Sequence, residues 1–310
     1  MLKIMTITMN PCIDTNASID KVVAERKLRC GRPRHEPGGG GINVSRAIRK
    51  LGGESLAVYT TGGPFGRLLK RRVDEEGVRG QDLPIEDWTR ESFIVYEESS
   101  GQQYRFGMPG PVLQDTEWQS CLDFVANSSP APQFIVASGG LPQDVPKDFY
   151  ARLTGLAKKL DTKVILDASG EALSTAVKEG VFMIKPNWRE FRTLFDGEGE
   201  LDPAESAGVL VEKGQSEVVV ISLGAGGAIM VRKQGCERLH APPVPIRSKV
   251  GAGDSMVAGI VLGLAQGRSV LDAVRFGVAA GTAAVMTAGT ELCRKEDTER
   301  IYQKMVSGEP

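Results

Sequence analysis

The residues best suited to chemistry stand together at Gly251-Ala252-Gly253-Asp254, where three small residues precede an acid. Small residues let a backbone turn tightly and come close to a ligand. The apolar run from Met256 to Ala265 that follows predicts a helix. The first turn of a helix has free N–H groups and a partial positive charge, which together can hold an anion. We therefore interpret residues 251 to 253 as an anion hole beside a free carboxylate.

This pairing suits phosphoryl transfer, because the N–H groups would stabilise the moving charge while Asp254 orients the attacking hydroxyl. The alternative is that Asp254 or Ser255 only caps the helix, which is a common role for both residue types. The motif alone does not separate these two interpretations.

A second glycine-rich segment, Gly38 to Gly41, runs directly into a predicted helix with Asn43 on its first turn. Apolar residues recur there at helical spacing, at Ile42, Val44, Ala47, Ile48 and Leu51. Four glycines in an element cost about 0.5–1 kcal/mol each relative to alanine. A linker would tolerate that cost, but a linker rarely opens into a helix. We expect the backbone to approach a ligand here, although no Gly-Lys-Ser/Thr closes the run as in a Walker A loop.

Polar side chains follow two of the predicted strands, at the sheet edge where ligands gather in open α/β folds. Asp14 follows a first strand over residues 3 to 8 and is a candidate for sugar hydroxyls, with a role in a turn as an equal alternative. Asn187 and Glu190 follow a short strand over 182 to 184 and share one helix face. Their oxygens suit Mg²⁺ held through water, while a capping box explains the same spacing.

Two further segments suit phosphate groups. Ser222 to Gly227 is a glycine-rich turn after a predicted strand, and it would suit a nucleotide, although a plain hairpin turn explains it nearly as well. Arg90 and Arg105 flank a hairpin predicted from residues 92 to 97 and 103 to 107. Paired arginine donors can grip a phosphate, whereas most surface arginines are only solvated.

The elements that must position these residues follow an α/β pattern. Strands alternate with helices, which predicts a mostly parallel sheet with helices on both faces. Residues 15 to 36 lack a helical pattern but contain the strand-like pieces Ala17 to Ile19 and Leu28 to Cys30. We predict one domain over residues 1–310, with a small β lid formed by about 14–36 and 90–107.

The composition argues against several other classes of protein. The net charge of −1 gives no broad field for nucleic acid or a membrane surface. No apolar run reaches the ~20 residues that span a bilayer, and the amino-terminal residues do not have the pattern of a signal peptide. Five scattered cysteines without a CxxC pair fit reduced thiols in a cytoplasm.

Three motifs, taken in order, resemble those of the ribokinase-like (PfkB) sugar kinases. Gly38 to Asn43 resembles that family's first signature, Asn187-Trp188-Arg189-Glu190 its NxxE element, and Val250 to Asp254 its second signature. Within the family, the chain is similar to the bacterial type 2 6-phosphofructokinases. Five segments carry that similarity: Lys27 to Cys30, Trp88 to Arg90, Gln103 to Phe106, Asp167 to Leu173 and Val274 to Gly281.

The resemblance implies a ribokinase-like fold, a homodimer formed through the lid, and phosphorylation of fructose 6-phosphate at its 1-hydroxyl by ATP with Mg²⁺. It assigns Asp254 as the general base and Gly251, Ala252 and Gly253 as the anion hole. The substrate residues it implies are Asp14, Gly39, Gly40, Asn43, Arg90, Arg105 and Ser138. Those for ATP are Lys27 from the neighbouring subunit, Lys185, Asn187, Ser222, Gly224, Gly226 and Gly227. Magnesium would lie near Asn187 and Glu190, and K⁺ near Ser248, Val250, Ala284 and Gly289.

Rival functions remain at this point. Kinases of the same class act on fructose 1-phosphate or tagatose 6-phosphate, and sequence physics does not separate such similar sugars. A sugar or nucleotide sensor on the same scaffold would not need the acid at Asp254. An NAD-dependent oxidoreductase is disfavoured because no GxGxxG follows the first strand.

Overall fold

The computed structural model describes residues 3–195 and 202–308. A nine-stranded sheet forms its centre, in the order β13-β12-β11-β10-β9-β8-β1-β4-β5. All neighbouring pairs are parallel except β11 with β12 and β12 with β13. The strands are β1 Ile4–Thr8, β4 Leu56–Thr61, β5 Arg79–Pro84, β8 Phe134–Ser138, β9 Lys163–Asp167, β10 Val181–Ile184, β11 Ser216–Ser222, β12 Ala228–Arg232 and β13 Gly235–Leu239.

Helices cover both faces of this sheet, as the alternation of strands and helices predicts. They are α1 Gly40–Lys50, α2 Gly63–Glu75, α3 Asp115–Ala126, α4 Phe149–Lys159, α5 Gly170–Ala176, α6 Trp188–Arg192, α7 Pro203–Glu212, α8 Ala252–Ala265, α9 Val270–Ala284 and α10 Lys295–Ser307. Successive residues of β1 enter opposite cores, with Met5 and Ile7 packed beside α3 and α4 and Ile4 beside α1 and α8. This is the period-2 burial of a central strand between two helical layers.

A second sheet of four strands contains the two non-helical segments. Its strands are β2 Cys12–Ile19, β3 Arg34–Gly38, β6 Arg90–Glu97 and β7 Gln103–Gly107, in the order β3-β2-β6-β7. We call this sheet the lid. Residues paired in register share a face, so Asp14, Ser92 and Gly107 lie on one face and Thr15, Phe93 and Phe106 on the other.

The structure corrects several predicted elements. Leu28 to Cys30 is not a strand, because the partner of β2 is Arg34–Gly38, whose proline is tolerated on an edge strand. The sequence pattern also predicts helices over Glu171 to Glu179 and Ser269 to Ala288. The first α-helix ends at Ala176, where a 3-10 turn over Val177–Glu179 follows, and the second ends at Ala284. Strands β5 and β13 and helix α3 were not predicted. Within the described residues, no helix is long and apolar enough to cross a membrane.

Candidate active site

Asp254 lies in the first turn of α8, where the structure excludes the capping alternative. The N-cap position is occupied by Gly251, whose φ of 74° lies in the left-handed region that favours glycine. A β-carbon there would come within 2.4 Å of Leu292. No side chain caps this helix in the part of the chain that the structure describes, so its first amides are left for a ligand. The Asp254 carboxylate instead accepts a hydrogen bond from Asn43 Nδ2 at 2.9 Å.

Burial and charge raise the pKa of Asp254 from 3.8 to about 6. Desolvation is the largest cause, and the neighbouring carboxylate of Asp167 adds to it. The bond from Asn43 and the positive charges of Lys185 and Arg46 act in the opposite direction. A carboxylate with a pKa of about 6 accepts a proton more readily than an ordinary aspartate while staying mostly ionised near pH 7.

A cavity of about 570 Å³ lies between the lid and the mouth of α8. Asp254 lines it together with six predicted substrate residues: Asp14, Gly39, Gly40, Asn43, Arg90 and Arg105. Asp14 lies inside β2, where it is 6% exposed, so the alternative that it forms a turn is wrong. Burial raises the pKa of Asp14, while the thiol of Cys12 and nearby arginines lower it. We call this cavity the acceptor pocket.

The two arginines of the acceptor pocket differ in how they are held. Arg90 donates to the side chain and backbone oxygens of Asn10 at 2.9 and 3.2 Å and to Ser92 at 3.2 Å. Arg105 is exposed and has no side-chain hydrogen bond or ion pair within residues 3–195 and 202–308. Both lie on the Asp14 face of the lid. One fixed and one free guanidinium therefore converge on the same cavity.

The backbone of the glycine run passes very close to the end of β8. Gly39 has a φ of 113°, and it caps α1 without any side-chain hydrogen bond. A β-carbon on Gly40 would lie 2.3 Å from Ser138 Oγ, so these two predicted substrate residues are neighbours. Ser138 is buried and donates weakly to Asp167 at 3.5 Å.

A second cavity, of about 490 Å³, lies on the other side of Gly253. We call it the donor pocket. It is lined by the predicted ATP residues Ser222, Gly224 and Gly227, and it shares Lys249 and Gly253 with the acceptor pocket. The turn after β11 also joins an antiparallel hairpin with β12, so the hairpin interpretation is confirmed. Gly226 belongs to the short 3-10 turn between those strands.

Lys185 lies beside the shared wall of the two pockets. It is 3% exposed and pairs with Asp167 at 3.1 Å. Its ammonium is 3.5 Å from the point where a β-carbon on Gly253 would stand. Buried charges are retained when they are paired, and this one lies where phosphate groups crossing between the pockets would pass.

Asn187 and Glu190 form a complete capping box at the start of α6. Asn187 Oδ1 accepts from the Glu190 amide, and Glu190 Oε2 accepts from the Asn187 amide, both at 2.9 Å. Asn187 also bridges to Ser222, at the edge of the donor pocket. Within the described residues, no group of three His, Cys, Asp or Glu side chains could hold a metal. The amide oxygen of Asn187 and the carboxylate of Glu190 are oxygen donors, which fit Mg²⁺ bound mainly by water and phosphate oxygens.

The residues implied for K⁺ come from two loops that meet behind the anion hole. Ser248 Oγ donates to the Gly289 carbonyl at 2.9 Å and accepts from the Val250 amide at 3.2 Å. The Ala284 carbonyl accepts from the Thr287 hydroxyl at 2.8 Å. Thr290 donates to Glu36 on β3, which links this loop to the lid.

Lys27, predicted to bind ATP, lines neither pocket. It lies exposed in the lid segment between β2 and β3. Its predicted contact is with the nucleotide of a neighbouring subunit, which a single chain does not test.

Sequence reasoning missed Arg46, Asp167 and Cys12. Arg46 is 2% exposed and donates to Asn43 Oδ1 at 3.0 Å. Its signal was its place three residues after Asn43, on the same helix face. Cys12 lines the acceptor pocket and donates its thiol proton to Asp14 at 3.2 Å. Burial raises the pKa of Cys12 to about 12, so it stays a thiol and a donor.

Comparison with known proteins shows which family this chain matches. Residues 4–297 match the pfkB family carbohydrate kinases. The chain is 42% identical over 303 residues to the ATP-dependent 6-phosphofructokinase isozyme 2 of Mycobacterium tuberculosis, covering 97% of this chain and 89% of that protein. It is 41% identical over 305 residues to the isozyme 2 of Escherichia coli, covering 97% and 98%.

Three solved structures of phosphofructokinase-2 from E. coli are similar to this chain. The structure in complex with potassium has a TM-score of 0.94, at 40% identity, and covers 99% of this chain and all of that one. The complex with fructose-6-phosphate and a tetrameric inhibited form both have a TM-score of 0.92, with the same identity and coverage.

Proposed function

The chain belongs to the PfkB family of carbohydrate kinases, and from this premise we propose that it transfers the γ-phosphoryl group of ATP to the 1-hydroxyl of fructose 6-phosphate. One observation carries the proposal: Asp254 lines a pocket with two arginines and directly follows Gly253, which also lines a second pocket with glycine-rich walls. The relatives at 41–42% identity are named as 6-phosphofructokinases. That similarity favours the 6-phosphate sugar over the rival phosphosugars.

Asp254 acts as the base for the sugar hydroxyl in this mechanism. It orients the hydroxyl and accepts the proton late, because its pKa of about 6 is far below that of an alcohol. The amides of the α8 first turn face the charge that develops during transfer. The buried ammonium of Lys185 adds a fixed positive charge at the same wall. Bound Mg²⁺ would neutralise phosphate charge, as in other phosphoryl transfers.

The sugar phosphate would lie against Arg90 and Arg105. A carboxylate at Asp14, on the same face of the lid, would accept hydrogen bonds from sugar hydroxyls. Asn43, Gly39, Gly40 and Ser138 complete the side of the pocket next to β8. Arginine suits this role because its planar donors match phosphate oxygens in pairs.

Mg²⁺ would lie near Asn187 and Glu190, with water between them. One carboxylate oxygen of Glu190 is committed to the helix cap and the other is left for the ion's water shell. The Asn187 cap in turn fixes where that carboxylate stands. The arrangement fits a cation that keeps several waters.

K⁺ would bind at the loop of Ser248, Val250, Ala284 and Gly289. The Gly289 carbonyl accepts a hydrogen bond from Ser248 and keeps a second lone pair, whereas the Ala284 carbonyl accepts from both the hydroxyl and the amide of Thr287. The loop adjoins Gly251 of the anion hole, so a cation there would support the backbone turn. The E. coli structure in complex with potassium supports this proposal by similarity.

The lid would form a homodimer. Phe93 and Phe106 pair across β6 and β7 on the lid face opposite Asp14, and they are 38% and 50% exposed. Adjacent exposed aromatics are typical of protein interfaces. Lys27 would then reach the nucleotide of the neighbouring subunit. The cytoplasmic location stays a prediction.

An ADP-release assay over fructose 6-phosphate, fructose 1-phosphate and tagatose 6-phosphate tests the function. We expect the highest kcat/KM with fructose 6-phosphate. A preference for either other sugar would contradict the substrate. Release with none of them, despite binding seen by calorimetry, would favour the sensor instead.

A further inference from the structure

Arg46 is a buried arginine on α1 that the proposed mechanism does not yet use. Its guanidinium grips Glu76, at the end of α2, with two hydrogen bonds of 2.8 and 2.6 Å. The third nitrogen donates to the Pro37 carbonyl on β3 and to Asn43 Oδ1, both at 3.0 Å. Four hydrogen bonds from one buried fork leave this side chain little freedom.

These contacts fix which way the Asn43 amide points. Oδ1 of Asn43 accepts from Arg46, so its NH₂ group faces Asp254 Oδ2 at 2.9 Å. The flipped amide would turn its NH₂ toward a guanidinium and its oxygen toward a carboxylate. Both contacts would be repulsive, because an arginine has only donors and an ionised aspartate only acceptors.

We infer that Arg46, held by Glu76, is a positioning residue for phosphoryl transfer, which orders Asn43 so that Asp254 is bonded on one oxygen and presents the other to the sugar hydroxyl. The reaction in this statement rests on the proposed function. The chain of contacts from Glu76 to Asp254 does not.

The position of Arg46 also affects the charge state of the base. The groups that face Asp254 are Asp167, Lys185, Asn43 and Arg46, with Lys249 in the pocket wall. Glu76 contacts Arg46 directly, and Arg46 also acts on the carboxylate of Asp14. Loss of Arg46 would remove one positive charge and free the amide that donates to Asp254. Both changes would raise the pH at which Asp254 ionises.

Four variants test this inference: Arg46→Met, Arg46→Lys, Glu76→Gln, and Arg49→Met as the control. Arg49 lies in the last turn of the same helix and is exposed. We expect Arg46→Met to lower kcat about 10- to 100-fold and to move the acidic limb of the kcat profile up by about one pH unit. KM for the phosphosugar should change less.

The lysine variant separates positioning from charge. Lysine keeps the charge but lacks the fork that holds Glu76 and Asn43 together, so we expect it to stay well below wild-type kcat. Glu76→Gln keeps the shape of the contact and the charge of Arg46, so it should give a smaller fall in kcat without an upward shift of the acidic limb. The fall in kcat of Glu76→Gln also tests the inference if the Arg46→Met variant does not fold.

A titration independent of turnover completes the test. The carboxyl carbon of Asp254 can be followed by ¹³C NMR, assigned with Asp254→Asn, without any sugar. An upward shift of its pKa in Arg46→Met that is absent from Glu76→Gln supports the inference even if the proposed substrate is wrong. The inference would be overturned if Arg46→Lys had the kcat of wild type. It would also be overturned if Asp254 titrated in Arg46→Met as it does in Arg49→Met.

Discussion

In the proposed mechanism Asp254 must be ionised, but its burial favours the neutral carboxyl group. Its pKa of about 6 predicts that kcat falls about tenfold per pH unit below pH 6, since only the ionised form accepts the proton. Asp254→Asn should keep substrate binding and lower kcat by about 10²–10⁴-fold. Steady-state kinetics and calorimetric binding of the phosphosugar measure the two effects. A variant with near-wild-type kcat would remove Asp254 from the role of base.

The same burial predicts a gain in stability for that variant. A carboxylate whose folded pKa is raised from 3.8 to about 6 stabilises the fold fully below pH 3.8, and this contribution is lost as the pH rises through 6. The difference is on the order of 2–3 kcal/mol. Asp254→Asn should therefore melt a few degrees higher than wild type at pH 8, with the difference vanishing near pH 4. An equal Tm difference at both pH values would contradict the assignment of burial as the cause.

Arg90 is already ordered by Asn10 and Ser92, so it should contribute a preformed grip on the sugar phosphate. Arg90→Ala should raise KM for fructose 6-phosphate about 10- to 100-fold, since hydrogen bonds to charged groups contribute about 1.5–3 kcal/mol. The matched control is Arg79→Ala, on β5 and outside both pockets. Unchanged KM in Arg90→Ala would take this arginine out of the site.

At the scale of elements, the site is built from helix starts that differ in their caps. Both α1 and α8 begin at a glycine with positive φ and have no side-chain cap. In contrast, α6, α7 and α9 are capped by an asparagine, an aspartate and a serine. A side-chain cap would fill the amides that an anion needs. The glycines leave those amides open, and they allow the close approach of backbone to substrate.

Glu190 serves a helix cap and, in our proposal, a magnesium site, and one substitution separates the two. Glutamine also completes a capping box, so Glu190→Gln should keep Tm within about 1 °C of wild type. Loss of the carboxylate charge should raise the half-saturating Mg²⁺ concentration about tenfold at fixed ATP, because supporting groups around metals have effects of that size.

The control for this prediction is a second capping box in the same chain. Glu117 caps α3 with Gln114, on a helix that lines neither pocket. Glu117→Gln should leave both Tm and the Mg²⁺ dependence near wild type. Equal Mg²⁺ dependence in the two variants would contradict the magnesium role of Glu190.

For the whole molecule, the lid is predicted to join two chains through its aromatic face. Phe106→Asp would place a charge in that interface, where an unpaired buried charge is strongly unfavourable. We expect light scattering after size exclusion to show dimers for wild type and mostly monomers for this variant. Activity should fall with it if Lys27 of one chain serves the nucleotide of the other.

Val306→Asp is the control for the lid. Val306 is 51% exposed on α10, outside the lid, so the same apolar-to-charged change should leave the dimer intact. A dimer that persists in Phe106→Asp would show that the chains associate through another surface. The tetrameric inhibited form of the E. coli protein makes a second interface a measurable alternative.

Residues close together in the chain were enough to predict the local chemistry of this protein. Three features depend only on neighbours in the chain. They are the glycines before Asp254 and before Asn43, the amide and acid three residues apart, and the alternating strand and helix patterns. These features predicted the α/β fold, the sheet with helices on both faces, and the lid hairpin. They also placed Asp254 beside a helix mouth.

The contacts between segments that are far apart in the sequence could be seen only in the folded structure. The register of β2 with β6 and β7 brings Asp14, Arg90 and Arg105 to one face, although 91 positions separate the first and last. The true partner of β2 was Arg34–Gly38 instead of Leu28 to Cys30, since strand pairing depends on the whole sheet. The bonds from Glu76 through Arg46 to Asn43 and Asp254 join three helices. Such contacts depend on packing in space, which no local pattern specifies.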